Sequence, residues 1–468
     1  MYFIIKIFLK IRAIFDYLIY LIKRPEILKK LDKLDSINNL KDKLIYAKKL
    51  CDEFPKHPLP YLKISRLLIE SGNNKFYESL EKYDSVKNNW LKNNSKEQDE
   101  YIPLQQVIGS LGNIYPLEKY IKYKKLIKNS NKPILLLKKN YKLTNEYLFK
   151  YIKPYLNVIS DNSIISNSKI SSKINNVPLE FAFPYRNKLL PWDVATNLIT
   201  QETSKDNKID EKFKFNQEEI NKGRKILSKL GLPKNSWYVT LHIRQPGFRD
   251  NFSKFEDFRN SDPLTYIKAI KAIIKSGGFV ILVGDKSMKK MPNISGLIDY
   301  AHSNEKTMFM DVFLAATCKF CLGTSSGFYA ISMMFNIPVL VTNFLPIITY
   351  FSLTNKDMFL PKILKNKTNN SSLTIKEMFD PSISLLNGNH LKNNNIEFIN
   401  NTEDDLEKAT IEMLEKTIKK NFDNKDKYLN QFKSIIERYS IKYGGNKLIA
   451  YADTSINFLK KNNFLVND

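Results

Sequence analysis

Three cysteines in 468 residues, Cys51, Cys318 and Cys321, leave no material for a disulfide framework and fit a reducing compartment, so the chain is expected in the cytoplasm. Cys318-Lys-Phe-Cys321 has the CxxC spacing, but it leads into an apolar stretch, has no second pair and can draw on only four histidines. Buried thiols are the plainer reading. No two aspartates stand two positions apart, which removes the DxD signature of a metal-held diphosphate, and Walker A and GxGxxG patterns are missing as well. No metal or cofactor is expected. No uninterrupted apolar run approaches the ~20 residues of a spanning helix, which disfavours a transmembrane segment. Arginine is scarce too, at nine residues, so the formal charge of +26 comes almost wholly from lysine. Those lysines are spread evenly, with no aromatic-interleaved stripe or arginine-rich arm, which argues against a nucleic-acid partner.

What is present describes a globular chain. Hydrophobic residues make up 43% and charged residues 26%, and the length suggests two or three domains at ~150 residues each. Residues 1–24 are rich in Ile, Leu, Phe and Tyr, and Lys6, Lys10, Arg12, Asp16, Lys23 and Arg24 fall in one sector of a helical wheel. That is the pattern of an amphipathic helix lying on a membrane surface, with self-packing as the alternative. No small-residue cleavage site follows it, against a secreted precursor. Residues 25–110 are helical in pattern: Leu44, Ala47, Leu50 and Cys51 recur at helical spacing, 55–60 is a proline break, and Tyr61, Ile64, Leu67 and Leu68 resume the period. One such helix pair is weakly like a tetratricopeptide unit, but no second copy follows.

The texture changes at 133–137, a short apolar run followed by a helical pattern and a second apolar stretch at 156–160, which predicts β-α-β. Residues 216–230 read as a helix that Gly231-Leu-Pro233 stops, so a domain boundary is expected near 232. Beyond it, strands are expected at 237–241, 279–283, 320–322 and 338–341. Ser261-Asp262 with Pro263 caps a helix ending at Gly277-Gly278, and further helices are expected at 308–317 and 328–336. The continuous apolar strands belong to a parallel, doubly covered sheet. The fold class is therefore α/β, doubly wound, with ligands beyond the carboxyl ends of the strands. Residues 402–463 read as two or three helices.

The strand ends carry the chemistry. The first ends in His242-Ile243-Arg244, where period two puts His242 and Arg244 on one face. Arg244, Arg249 and Arg259 are three of the nine arginines and fall within sixteen residues. A guanidinium offers a planar fork to phosphate or carboxylate oxygens; the alternative is a structural network with Asp250, Glu256 and Asp257. The second strand ends in Gly284-Asp285, either a carboxylate reading a ribose hydroxyl or base N–H, or a plain turn. The third runs into Gly323-Thr324-Ser325-Ser326-Gly327 and then a helix, a convergence of hydroxyls and backbone N–H groups suited to an anion. The same five residues match GxSxG, with Ser325 as the nucleophile of an α/β-hydrolase. That reading needs a later histidine, and only His390 follows, within a loop-like run.

These residues together resemble a bacterial glycosyltransferase family of surface polysaccharide synthesis. The resemblance rests on His242-Ile-Arg244 with Gly247-Phe-Arg-Asp250, Gly277-Gly278 before the strand closing on Gly284-Asp285, Asp311 upstream of Cys321-Leu-Gly-Thr-Ser-Ser-Gly327, and Ile337-Pro338. It covers about residues 110–460. More distantly the pattern is similar to the fucosyltransferase superfamily. It implies a GT-B architecture, two Rossmann-like domains facing across a cleft, here 111–232 on the acceptor side and 233–400 holding the nucleotide sugar. The helices of 401–468 would then pack back on the first domain. It also implies that Arg244 binds the donor diphosphate with Arg249 near it, and that His242 orients the diphosphate or the sugar. Thr324, Ser325 and Ser326, framed by Gly323 and Gly327, would donate to phosphate oxygens, and Asp285 and Asp311 would contact base or ribose. Asp311 as a helix-dipole carboxylate is the alternative. Where the α1,6-fucosyltransferases carry a second arginine and a later glutamate, this chain has Gln245 and Pro246, and Asp250 is the nearest carboxylate for a base. The expected partners are a nucleotide-sugar donor, with GDP-linked and other nucleotide sugars as the candidates, a lipid-linked or growing glycan, and the inner face of a bacterial inner membrane. A non-catalytic membrane-associated scaffold is the third reading.

Overall fold

The computed structural model describes most of residues 26–57, parts of 60–86, then 101–102, 111–127, 132, 134–136, 143–159, 182–185, 188–203, 213–246, 257–345, 352–379, 391, 395–440 and 450–467. The chain forms two compact units, Met1–Glu97 and Gln98–Asp468. The first contains α1 (Glu26–Ser36) and α2 (Leu40–Glu53), and the Asn39 side chain accepts from the Lys41 and Asp42 N–H groups to start α2. Ala47, Leu50 and Cys51 point into its core, as do Ile64, Leu67 and Leu68 further on. The expected membrane-surface helix of residues 1–24 lies outside the described residues. Among the described residues no helix is long and apolar enough to cross a membrane.

The second unit is mixed α/β. A three-stranded parallel sheet contains β1 (Tyr101–Ile102), β2 (Ile134–Leu136) and β3 (Asn157–Ile159), with α3 (Leu111–Leu126) between the first two and α4 (Glu146–Ile152) between the last two. The apolar run at 133–137 thus opens the β-α-β element its pattern predicts. An antiparallel hairpin, β4 (Ala182–Tyr185) and β5 (Lys188–Pro191), leads into α5 (Trp192–Thr203). Next, α6 (Gln217–Lys229) begins at an Asn216–Glu219 capping box.

The main sheet has seven strands, all paired in parallel. From Tyr238–His242 (β6) the chain passes through α7 (Ile267–Lys275) to β7 (Phe279–Leu282) and β8 (Leu297–Asp299), which extend the sheet to one side. It then returns through α8 (Met308–Thr317) to β9 (Cys321–Thr324), on the other flank of β6. From there α9 (Phe328–Met334) leads to β10 (Val339–Phe344), and β11 (Met358–Pro361) continues outward. Strand order therefore reverses between β6 and β9. Right-handed crossovers put the helices of the two directions on opposite faces, so the strands are covered twice; β9, β10 and β11 are buried along their whole length. After β12 (Ile363–Asn366) and the short α10 (Ile375–Met378), β13 (Ile396–Ile399) returns to pair antiparallel with β12.

The C-terminal segment extends the large sheet: among the described residues of 401–468 a strand joins its edge and a helix covers one of its helices. The helix α11 (Glu403–Leu414) lies on α7. After α12 (Lys427–Ser440), β14 (Asp453–Thr454) adds an edge strand to β11, and α13 (Ile456–Lys461) follows. The determinants are buried polar contacts that helical periodicity does not reveal: Asp453 takes both Lys416 and Lys433, and Glu412 accepts from the Ile456 and Asn457 N–H groups.

The regions 111–232 and 233–400, expected as two domains, share one compact unit. The link is direct. Rings of Tyr147, Tyr151, Phe213, Phe215, Phe309, Phe313 and Phe335 form a continuous cluster joining α4 to α8 and to the end of α9, with Phe215 stacked on Phe335 at 5.4 Å. On the other side α3 lies against α9 and α5. Its residues 114–124 are buried all round, including Glu118, which Lys122 meets at 2.7 Å. The close approach of α3 to α9 depends on two glycines, because a Cβ on Gly327 would stand 2.6 Å from the Gly112 nitrogen. Gly327→Ala is accordingly expected to cost about 1–3 kcal/mol of overpacking and to lower Tm by a few degrees in a thermal melt; an unchanged Tm would mean that this helix contact is absent.

Candidate functional site

The reversal point brings together two segments some eighty residues apart. In the parallel pairing of β6 and β9, His242 stands opposite Gly323. A Cβ on Gly323 would lie 2.1 Å from the His242 carbonyl oxygen, so the strands close here only with glycine. Just beyond, the Arg244 N–H donates to Thr324 Oγ1 at 2.8 Å, and the Arg244 carbonyl accepts from the Ser261 N–H at 3.1 Å. The Arg244 backbone is pinned on both sides. Ile243 is fully buried while His242 and Arg244 are partly exposed, the alternation that period two predicts. The Arg244 guanidinium is oriented by Nη1 donating to Asn260 Oδ1 at 2.6 Å, and the Asn260 amide donates in turn to Asp257.

His242 is held as firmly. Its Nδ1 lies 2.9 Å from Ser326 Oγ, and its ring stacks on Phe328 with centroids 5.3 Å apart and planes within 5°. The Phe328 N–H donates to the same serine oxygen at 3.4 Å. Assigning that oxygen as acceptor leaves its proton for Nδ1 and puts the ring proton on Nε2. Burial first, then the positive charge of Lys306, with Arg244 also contributing, depresses His242 to about 4. The imidazole is neutral at physiological pH and offers an N–H.

Lys306 is the cation that motif reasoning missed. Its Nζ donates to Asp311 Oδ1 at 3.0 Å, lies 5.3 Å from the Tyr300 ring centroid, and acts on both His242 and Asp285. Asp311, expected as a base or ribose contact, is occupied: it accepts from Lys306 and from the Tyr300 hydroxyl in the first turn of α8. Its role in this geometry is to aim Lys306. Asp285 stands at the end of β7, where it accepts from the Ser287 N–H at 2.9 Å; that bond and the nearby lysine hold its carboxyl below the usual range.

The Thr-Ser-Ser segment is close to the site and bonds to three of its side chains and backbone groups. Thr324 fixes Arg244, Ser326 fixes His242, and the Ser325 carbonyl accepts from Arg259 Nε at 2.9 Å. The helix it leads into is only seven residues long. A nucleophile elbow requires a strained turn at the serine, but Ser325 is absent from the described residues with positive φ. The imidazole beside it bonds to Ser326. Gly247, Arg249, Asp250 and His390 lie outside the described residues, so the structure brings together His242, Arg244, Asp285, Asp311, Gly323, Thr324, Ser325, Ser326 and Gly327.

Beneath these groups lies a buried polar shelf. Asn343 and Asn401 exchange backbone-to-side-chain bonds at 2.6 and 2.8 Å, and the Asn343 amide reaches Ser261 and Tyr266. Lys362 completes it. With no side-chain exposure, its Nζ donates to the Asn260 carbonyl at 3.1 Å and to Asn400 Oδ1 at 2.6 Å, above the Phe398 ring. No signal distinguishes Lys306 or Lys362 among so many lysines; Asn260 was recognisable only as the neighbour of a helix cap. The CxxC thiols are buried and free, and burial pushes Cys318 to about 11 and Cys321 to about 12.

Comparison with known proteins adds nothing to this geometry: no family model matches the chain, and no curated protein or solved structure matches it.

Burial depresses Lys362 to about 7. Between that value and its unfolded value near 10.5 the unfolded chain binds the extra proton, so stability rises with pH across the window. Relative to Lys362→Met, the wild type should gain stability from pH 7 to pH 10 by up to ~1.4 kcal/mol per pH unit, read from paired urea melts. A gap independent of pH would show a lysine that titrates normally.

Proposed function

We propose that the protein is a glycosyltransferase that moves a hexosyl or fucosyl group from a nucleoside-diphosphate sugar to a lipid-linked or growing surface glycan. The observation that carries this reading is the convergence of Arg244, Lys306 and a neutral His242 at the point where strand order reverses. Such crevices are the usual ligand sites of open α/β sheets. The donors there are two cations and an imidazole N–H, a set that suits an oxygen-rich anion. Their positions are held by bonds made before any ligand arrives, which is the condition for electrostatic stabilisation of charge developing in a transition state.

In this reading the diphosphate leaves with growing negative charge. Arg244 receives it bidentately, Lys306 adds a second positive charge, and His242 Nε2–H donates to a phosphate or glycosidic oxygen. The charge is met by the chain's own cations, so transfer is metal-independent. Asp250 is the sequence-based candidate for deprotonating the acceptor hydroxyl in an inverting displacement. The three-stranded parallel sheet and the seven-stranded sheet correspond to the two Rossmann-like halves of a GT-B enzyme, with the acceptor on the side of the smaller one. Residues 1–24 bring the enzyme to the inner face of the bacterial inner membrane.

Two measurements test the proposal. A thermal-shift panel of GDP, UDP, ADP and CMP should find one diphosphate that stabilises the protein, with the shift surviving EDTA. No shift with any of them would overturn the reading. With the donor class known, Arg244→Lys should keep the wild-type Tm and lose roughly 100-fold in transfer rate, since an ammonium keeps the charge without the fork. Wild-type turnover in that variant would remove Arg244 from the mechanism.

A further inference from the structure

Gln245 follows Arg244 at the carboxyl end of β6 and reaches across to the loop after β7. Its Oε1 accepts from the Lys289 N–H at 3.0 Å. That bond settles the orientation of the amide, since the reversed one would set two donors against each other. The loop it meets is itself tied down: Asp285 accepts from the Ser287 and Met288 N–H groups, and the Met288 carbonyl faces His302 Nε2 at 3.0 Å. The other end of the amide has no such partner. Gln245 Nε2 is buried and has no hydrogen bond. The other buried side-chain polar atoms of this kind among the described residues lie on the α3 and α5 helices: the Thr200 hydroxyl, and the Glu118 carboxylate oxygens, which pair as ions with Lys119 and Lys122.

A buried donor without an acceptor is costly, and such groups in folded proteins ask for an explanation. Here the explanation is a ligand. We propose that the Gln245 amide is a specificity-determining group whose Nε2 donates to a neutral oxygen, a hydroxyl or a carbonyl, of the molecule bound between the ends of β6 and β7. The inference rests on the nucleotide-sugar reading of this site. The neighbouring groups divide the work: Arg244 and Lys306 attract phosphate by charge, whereas a neutral amide N–H in a fixed direction distinguishes ligands that carry an oxygen there from those that do not. A buried group of this kind rejects the analogue that leaves it unpaired.

Gln245→Glu isolates the donor, because it keeps an oxygen for the Lys289 N–H and replaces only the NH2. Gln245→Met removes both functions and controls for a new ion pair with Arg244. Wild type and variants would be titrated calorimetrically with GDP, UDP and ADP, each alone and as GDP-fucose, GDP-mannose, UDP-glucose or ADP-glucose, after a melt confirms that at least one variant is folded. The expected result is a loss of about tenfold or more in affinity in both variants. If the loss appears only with the sugar nucleotide, the oxygen belongs to the sugar; if the free diphosphate is weakened equally, it belongs to the nucleotide. Wild-type affinity in both variants for every probe the wild type binds would overturn the role of Gln245 alone, with water satisfying the amide. Failure of the wild type to bind any probe would overturn the nucleotide-sugar reading and this inference with it.

Discussion

The site depends on one steric fact, the closure of β6 onto β9 over Gly323. With the carbonyl of His242 occupying the space of a side chain, the two strand ends lie close enough for Thr324 to take the Arg244 N–H and for Ser326 to take the His242 ring. Neither motif makes a site alone. The His-x-Arg end provides the groups that face outward, and the Thr-Ser-Ser segment provides the bonds that hold them. A wider side chain at 323 would separate the strands and release both residues together. A close backbone contact therefore lies directly under the partly exposed groups of the site, as preorganisation requires.

A second layer fixes the approach from the other direction. The segment 257–262 meets Arg244 twice, through Asn260 and Ser261, and meets the Thr-Ser-Ser segment through Arg259. It is anchored from below by Asn343 and from the side by Lys362. Arg244 Nη1 and Lys362 Nζ both donate to amide oxygens. A carboxylate in the place of Asn260 would bind the guanidinium more strongly but cancel the charge that an anionic ligand needs. The neutral amide sets direction and leaves the charge intact. Lys306 is arranged differently, through the Asp311 carboxylate, so the groups that aim the two cations differ in charge.

Sequence pattern revealed the part of this that local rules control. Apolar runs located β6, β7, β9 and β10, helical periodicity located α8 within its observed bounds of Met308–Thr317, and the Asp262 cap was visible as a residue type. The arginine cluster stood out because arginine is rare in this chain. Elements held by long-range contacts were not visible. Two-residue strands such as Asp453–Thr454 have no period, and their place is decided by Lys416 and Lys433. The contact between the two α/β regions was equally hidden, since the aromatic cluster draws seven rings from four segments that are far apart in sequence. Hydroxyl-rich Thr324–Ser326 suggested ligand contacts because those groups are small donors; the bonds of Thr324 and Ser326 to Arg244 and His242 depend on the strand pairing and carry no local signal.

The charge pattern follows the same logic. Most of the net charge of +26 is lysine spread along the chain, whose mutual screening in salt leaves little field at any one point. What concentrates potential at the strand ends is geometry. Partly buried cations beside a neutral imidazole lie where water is excluded, and there each charge acts at longer range than on the open surface. His242 lies in that field: burial first, then the lysine and the arginine, depress it to about 4, so it is uncharged at neutral pH. A histidine that cannot be protonated is a poor acid and base, but it is a constant N–H donor across the physiological range. Its value at this position lies in direction, and the Ser326 hydroxyl and the Phe328 ring both serve to keep that direction fixed.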